Sequence, residues 1–264
     1  TYHDFMRDIG LACLRTLTSL THENDVAGVQ MTSSYVDPGQ SLHDIDSSGS
    51  EIVVRLLYDL VRRKQSSVAK PLMQHTYDAT IFCLNILTNT LESSSASTLR
   101  NILSKMKLPV NNDDSPLALV WLARWIVSQT EPFQEILLSD NFANKNDHGV
   151  GKNGGVRDLE EHEDEYLITA GNGFIFLTYL IRKQEDSSVT GTRKKIKSCV
   201  RDLILSQMPG NKNGDKLLLM VNALKAFCNF YRFSIGDLSV AVVAPVLKLI
   251  SELEAMQKIP TDLH

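Results

Sequence analysis

Residues 5–20 read FMRDIGLACLRTLTSL and carry the clearest helical pattern in the chain. Their apolar side chains recur at steps of three and four, as one face of an α-helix requires: Phe5, Ile9, Cys13, Leu17 and Leu20. The same spacing returns in segments that begin at Val53 and Leu117. Clean alternation of apolar and polar residues is rare, and no Asn-Gly pair joins two alternating runs. We therefore predict an all-α fold.

Turn-forming residues divide the chain into about ten helices. Ser, Asp, Gly and Pro are enriched near 33–50, 93–98, 109–116, 140–158, 185–191 and 209–214, which we interpret as loops. The segment 140–158 is expected to be a flexible acidic loop.

Individual residues predict where some helices begin or are interrupted. Ser50 with Glu51 should cap a helix near residue 51, and Pro71 should start a helix that runs to Glu92. In the same way, Pro116 should lie in a first helical turn. Pro245 predicts a kink or a junction of two helices. Gly171 and Gly173 predict a break in their helix or a close approach of its backbone to a neighbour.

A recurring frame of a small or apolar residue, Leu and a large apolar residue indicates internal repeats. Its copies begin on average 42 residues apart, at Cys13, Leu56, Cys83, Trp121, Phe176 and Ala223. HEAT and armadillo repeats have periods of about 40–47 residues. We predict a HEAT/armadillo-like solenoid in which residues 1–264 form one elongated domain.

The alternative is that ten amphipathic helices produce such a period by themselves. A solenoid would favour binding over catalysis, because its extended surfaces suit partner proteins.

Composition and charge narrow the class of protein. With 43% hydrophobic and 22% charged residues, the 264-residue chain has a globular composition. A net charge of −4 argues against a broad nucleic-acid-binding surface, which is usually basic. The longest apolar run, 173–181, is too short to span a bilayer. Because residue 1 is Thr, we expect the sequence to be part of a longer protein.

The spacing of the cysteines and the sequence motifs indicate neither a catalytic site nor a metal-binding site. No Cys-x-x-Cys pair occurs, so we expect four free core thiols in the reducing cytosol or nucleus: Cys13, Cys83, Cys199 and Cys228. The Gly-rich stretch 149–155 lacks the Gly-Lys-Ser/Thr ending of a phosphate loop. Neither a Gly-x-Ser-x-Gly elbow nor a His-Glu-x-x-His helix occurs. We predict no enzyme activity, no catalytic residues, no cofactor and no metal site.

Charged residues are unevenly distributed. Residues 140–165 hold eight acidic and three basic residues, and 193–201 hold five basic residues and no acidic one. The acidic segment would suit a basic partner surface. The alternative for both segments is that they are solvated loop edges and helix faces without a binding role.

A polar turn, Thr21-His22-Glu23-Asn24, follows the first helical segment directly. His22 and Asn24 could simply terminate the helix there, Asn24 in the left-handed conformation. Such a turn at the end of a helical stack is also accessible to a partner.

Four stretches resemble the Wapl (wings apart-like) family in sequence and order. The most specific is similar to the signature near the start of the Wapl domain: Cys13-Leu14-Arg15-x-Leu17-x-x-Leu20-Thr21-His22-Glu23-Asn24. The others are Tyr77-Asp78 with the helix to Glu92, the acidic run with Ala170-Gly171-Asn172-Gly173, and Leu224-Lys225-x-Phe227-x-Asn229-Phe230 with 246–250. Ser19 and Val26 depart from the family, which commonly has Asn and Trp there. The chain resembles a divergent, fungal-like member.

The resemblance implies a nuclear, chromatin-associated regulator without enzymatic activity that promotes release of cohesin from chromosomes. The partners implied are the cohesin complex, through the ATPase head of its structural-maintenance-of-chromosomes subunits and its kleisin, and another HEAT-repeat cohesin regulator. No direct nucleic-acid or membrane binding is expected. The matching positions predict two groups of partner-binding residues: Thr21, His22, Glu23 and Asn24, and then Glu163, Glu165, Tyr166, Thr169 and Asn172. The alternative is a generic armadillo/HEAT-type adaptor that binds an extended peptide.

Overall fold

The computed structural model describes residues 2–33, 48–66, 71–93, 96–108, 115–138, 163–182 and 200–257. Within these ranges the structure contains α-helices, two short 3-10 helices and one isolated antiparallel bridge between Lys107 and Leu117, but no β-strand. The prediction of an all-α fold is confirmed. The predicted loops at 140–158 and 185–191, with Cys199, lie outside the described ranges.

The chain folds as two compact units, Thr1–Trp121 and Leu122–His264. The first contains α1 (Tyr2–Thr21), α2 (Asp25–Thr32), α3 (Gly49–Ser66), α4 (Pro71–Glu92) and α5 (Ala96–Lys105). Helix α6 (Ala118–Ser128) contains the boundary between the units. The second contains α7 (Gln134–Leu138), α8 (Glu163–Ile181), a helical stretch at 200–205, α9 (Asn213–Ile235) and α10 (Val240–Gln257). The assignment of residues 1–264 to one domain stays a prediction.

Helix α4 is the centre of the first unit. It packs against α1, α2, α3 and α5, and its own apolar side chains are among the most buried of the unit. Cys83, Leu84, Ile86 and Leu87 have no exposed surface. Because these residues lie on more than one side of α4, this helix buries several faces rather than a single stripe.

Helix α9 has the same role in the second unit. It packs against α7, α8 and α10, and residues 219–224 are all buried. Two ion pairs join α10 to its neighbours: Arg182, just after α8, contacts Glu252 at 2.9 Å, and Lys225 of α9 contacts Glu254 at 2.8 Å.

Several predicted helix starts need correction. Helix α3 is capped by Ser48 and not by Ser50: the Ser48 backbone N–H donates to Glu51 Oε2 at 2.8 Å, and the Glu51 N–H donates to Ser48 Oγ at 3.3 Å. This reciprocal pair is a capping box. The Ser50 hydroxyl instead donates to the carbonyl of Met31 in α2 at 2.9 Å.

The predictions made from three prolines have different outcomes. Pro71 begins α4, as predicted. Pro116 lies two residues before α6 and not in its first turn, because its carbonyl accepts from the Leu108 N–H beside the isolated bridge. Helix α10 passes through Pro245 as one continuous helix, so the predicted junction of two helices is absent there.

The apolar face predicted for α1 is largely exposed. The side of α1 that turns toward the unit carries Leu14 and Thr21, which are 8% and 2% exposed. In contrast, Cys13 is exposed and Ile9 is 42% exposed. The prediction that Cys13 is a core thiol is therefore wrong, whereas Cys83 and Cys228 are buried free thiols as predicted.

Gly171 and Gly173 lie inside the continuous helix α8 at points of close approach. A Cβ atom on Gly171 would lie 2.0 Å from the Phe227 ring, and one on Gly173 would lie 2.7 Å from Ile126. The close-approach alternative of the prediction is confirmed, and the break is absent. Glycine is required here by its missing side chain, which lets α8 pack tightly on α9 and α6.

Candidate interaction surface

The turn between α1 and α2 is anchored by Thr21. The Thr21 side chain is 2% exposed, and its hydroxyl donates to the Leu17 carbonyl at 2.9 Å. Asn89 of α4 donates through Nδ2 to Thr21 Oγ1 at 3.2 Å and to the Thr18 carbonyl at 3.1 Å. One amide therefore ties the end of α1 to the central helix of the unit.

Glu23 and Asn24 set the backbone direction of the turn. Glu23 has a φ of 51°, a left-handed conformation that favours Gly or Asn and costs a Glu about 1 kcal/mol. Asn24 is extended, with a φ of −122°, and its Oδ1 accepts the Ala27 N–H at 3.1 Å. Asn24 is therefore the N-cap of α2. The expectation that Asn24 takes the left-handed position is wrong, since Glu23 takes it.

The structure places the four residues of the turn in two environments. His22, Glu23 and Asn24 are exposed, whereas Thr21 faces the inside of the unit. Thr21 is thus a positioning residue: its buried hydroxyl holds the turn, and the three residues that follow present their side chains to solvent. The expectation that Thr21 is exposed is corrected accordingly.

Apolar side chains surround this turn in the sequence. Leu20 at the end of α1 is 54% exposed, and Val26 and Val29 of α2 are 68% and 44% exposed. The segment 20–29, which we call the α1–α2 turn surface, therefore combines exposed apolar groups with the carboxylate of Glu23. Apolar area together with two neighbouring exposed carboxylates, Glu23 and Asp25, suits recognition of a protein surface that offers a cationic donor.

The second predicted group lies in the first half of α8, in the other unit. Glu163 opens the helix, and its side chain lies outside the described residues. Glu165 and Tyr166 are partly exposed, and the Asn172 amide donates to the Ile168 carbonyl at 2.8 Å. Thr169 is only 4% exposed. Thr169 is therefore buried in its own unit and has no surface to offer a partner, which corrects that part of the prediction.

Two features were missed by sequence reasoning. Asn89 was not singled out, because α4 carries several polar side chains, including Asn85, Thr88 and Thr90, and the sequence does not show which of them bonds to α1. The exposure of the apolar stripe of α1 was missed as well. The sequence held no signal for it, because a covered and an uncovered apolar face have the same spacing.

Two cysteine thiols among the described residues are buried and unreactive. Burial raises the pKa of the Cys83 thiol to about 12 and that of Cys228 to about 11, so both thiols stay protonated and inert. Among the described residues, no three His, Cys, Asp or Glu side chains are grouped so as to hold a metal ion. In the same ranges, no helix has both the length and the apolarity to cross a membrane.

Comparisons of the chain with models of protein families, with curated proteins and with solved structures found no match.

Proposed function

We propose that this chain is a non-enzymatic, Wapl-like binding module that acts on cohesin in the nucleus and promotes its release from chromosomes. Its helices would form HEAT/armadillo-like repeats within one domain. Its partners would be the cohesin ATPase head with the kleisin and another HEAT-repeat cohesin regulator. The module would act by binding and by changing the conformation of its partner.

The observation that carries this proposal is the α1–α2 turn surface. The residues that resemble the Wapl signature most specifically, His22, Glu23 and Asn24, are exposed together in a turn that Thr21 and Asn89 hold in place. A turn whose backbone is anchored presents its side chains with little loss of conformational freedom on binding, which favours affinity.

The helical content supports the repeat part of the proposal. Helical-repeat proteins are built from α-helices that pack on one another without a sheet, as the described residues of this chain do. The two best copies of the repeat frame, at Cys13 and Cys83, differ in burial: Cys13 is exposed and Cys83 has no exposed surface. Equivalent positions of a repeat should be buried alike, so this pair does not support the repeat proposal, which rests on the helical content alone.

The peptide-adaptor alternative receives no support from the tryptophans. An armadillo groove of that kind presents exposed Asn and Trp side chains at regular spacing. Here Trp125 is 8% exposed, and Trp121 packs edge-on against Tyr58 with ring centroids 5.1 Å apart. We therefore retain the cohesin-binding proposal.

The test is a binding measurement between the purified chain and a cohesin ATPase head that carries its kleisin segment. Glu23→Gln removes the charge and keeps the side chain, and it should weaken binding about 10-fold or more, because a hydrogen bond to a charged group contributes roughly 1.5–3 kcal/mol. Glu23→Gly should weaken binding equally while relieving the left-handed backbone, so the folded state should be stabilised. Comparing the two variants separates the effect of the carboxylate on binding from its effect on the stability of the fold.

Asp59→Asn is the matched control, since Asp59 is an exposed carboxylate of α3 in the same unit. It should bind like the unmodified chain. Unchanged binding by Glu23→Gln would remove the turn from the contact. Absence of binding by the unmodified chain would refute the assignment to cohesin.

A further inference from the structure

Helix α1 carries an apolar stripe that the described residues leave largely exposed. Met6, Ile9, Leu17 and Leu20 are 48%, 42%, 36% and 54% exposed, and Cys13 between them is exposed as well. At 3.6 residues per turn, the five side chains lie within an arc of about 80° and extend over about 21 Å of the helix. A continuous apolar stripe of this length on a folded surface marks an interaction site.

The stripe is distinct from the side of α1 that holds the unit together. Leu14 and Thr21 face the core, on another side of the helix. The charged residues Asp8 and Arg15 lie on a third side, where Arg15 stacks over the ring of Phe82 at 5.8 Å. The stripe is thus free of charge along its length and lies away from the core-facing side of α1.

The spacing of the stripe is symmetric about Cys13. Its members stand seven and four residues before Cys13, and four and seven residues after it. If a second α1 crosses antiparallel with a two-fold axis at Cys13, Met6 faces Leu20 of the other copy and Ile9 faces Leu17. Every apolar side chain then meets an apolar side chain, which is the self-complementarity that an isologous dimer requires.

The centre of the stripe permits close approach. Cys13 is small, and the neighbouring Gly10 has no atom within 4 Å of the position of a Cβ. Helices that pack through small residues approach to interaxial distances near 8 Å, at the short end of the usual 8–10 Å. Neither flank of the crossing brings like charges together, because Asp8 and Arg15 point away from it. A charged partner would find no complementary group on this face.

We propose that the chain forms a homodimer through antiparallel contact of two α1 helices about Cys13. The inference is independent of the proposed cohesin function, since it rests on the stripe alone. The dimer leaves His22, Glu23 and Asn24 beyond the end of the contact and covers Leu20, which belongs to both the stripe and the α1–α2 turn surface.

The first test is the mass in solution, measured by light scattering from low to high micromolar concentration. The chain should change from 29.5 kDa toward twice that mass as concentration rises. Ile9→Asp and Leu17→Asp should each raise the dissociation constant about 100-fold or more, because each places two carboxylates in the apolar contact. Ile52→Asp is the matched control: Ile52 is 57% exposed on α3 and lies outside the stripe. It should leave the mass unchanged.

The second test fixes the direction of the helices by thiol crosslinking with a short bismaleimide. Cys13 should crosslink between copies, whereas Ser97→Cys on the exposed face of α5, in a Cys13→Ser background, should not. In the same background, a mixture of Met6→Cys and Leu20→Cys chains should give the mixed crosslink, and neither variant alone should crosslink to itself.

A mass of 29.5 kDa at every concentration overturns the proposal. A dimer that persists in both Ile9→Asp and Leu17→Asp, or crosslinks of Met6→Cys to itself, also overturns it.

Discussion

Gly171 lies so close to the Phe227 ring that α8 and α9 accept no side chain between them. We predict that Gly171→Ala lowers the free energy of unfolding by about 2–3 kcal/mol, because its Cβ would lie 2.0 Å from Phe227 Cδ2. Urea denaturation would measure the loss. Phe227→Leu added to Gly171→Ala should recover part of it, since the smaller side chain makes room.

Gly214→Ala is the control for this substitution. Gly214 is in α9 and has nothing within 4 Å of a Cβ position, so alanine should be neutral or slightly stabilising there. A Gly171→Ala variant as stable as Gly214→Ala would show that α8 and α9 are not in close contact at this point.

Buried thiols make stability depend on alkaline pH. The pKa of Cys83 is raised from 9.0 to about 12 by burial, so between these values the folded chain keeps a proton that the unfolded chain loses. The stabilisation is complete below pH 9 and falls as pH rises above it, by up to about 1.4 kcal/mol per pH unit from this group. Cys228, with a pKa of about 11, acts in the same direction.

Denaturant unfolding followed below and above pH 9 would measure this loss. Cys83→Ala should flatten the alkaline decline relative to the unmodified chain, whatever its effect at neutral pH. An equal slope in Cys83→Ala would show that the thiol does not titrate differently in the two states.

Among the elements, α10 is joined to α8 and α9 by ion pairs of unequal geometry. Arg182 contacts both oxygens of Glu252, through Nε at 2.9 Å and Nη2 at 2.9 Å, and its guanidinium also lies 5.8 Å from the Tyr179 ring centroid. Two-point contact of this kind is stronger than a single surface pair. The Lys225–Glu254 pair has one contact.

We predict that Glu252→Gln lowers the free energy of unfolding by about 1 kcal/mol, and that Glu254→Gln costs less, because exposed single pairs contribute little. Thermal unfolding at low and high salt would compare the two variants. The stability of Glu254→Gln, which keeps the Arg182–Glu252 pair, should depend more on salt than that of Glu252→Gln. Lys248→Ala, at an exposed position of α10, serves as the control. Equal effects of the two Gln variants would contradict the argument from geometry.

In the molecule as a whole, each compact unit depends on one central helix. Helix α4 packs against four neighbours, and α9 has the corresponding place in the other unit. Elements with the most buried contacts open least often. We predict that the backbone amides of 83–87 and 219–224 show the slowest hydrogen exchange of their units, measured by mass spectrometry. Slower exchange in α1 or α10 than in these two segments would contradict this organisation.

The sequence by itself determined that the chain is helical and where α4 begins, and it limited Gly171 and Gly173 to two alternatives, a break in the helix or a close approach. These conclusions rest on local properties: hydrophobic period, the fixed φ of proline and the missing Cβ of glycine. The residues of the α1–α2 turn were also identified from sequence, through the pattern that resembles Wapl.

Only the tertiary structure decided which side of each helix is covered. Helix α1 has one set of residues against α4 and a second, apolar set exposed, and the period of the sequence is the same for both. For the same reason Thr21 and Thr169 proved buried, and Cys13 proved exposed. Burial depends on neighbours that are distant in sequence, such as Asn89, which donates to Thr21. The spacing of residues within a single helix does not reveal which such neighbours pack against it.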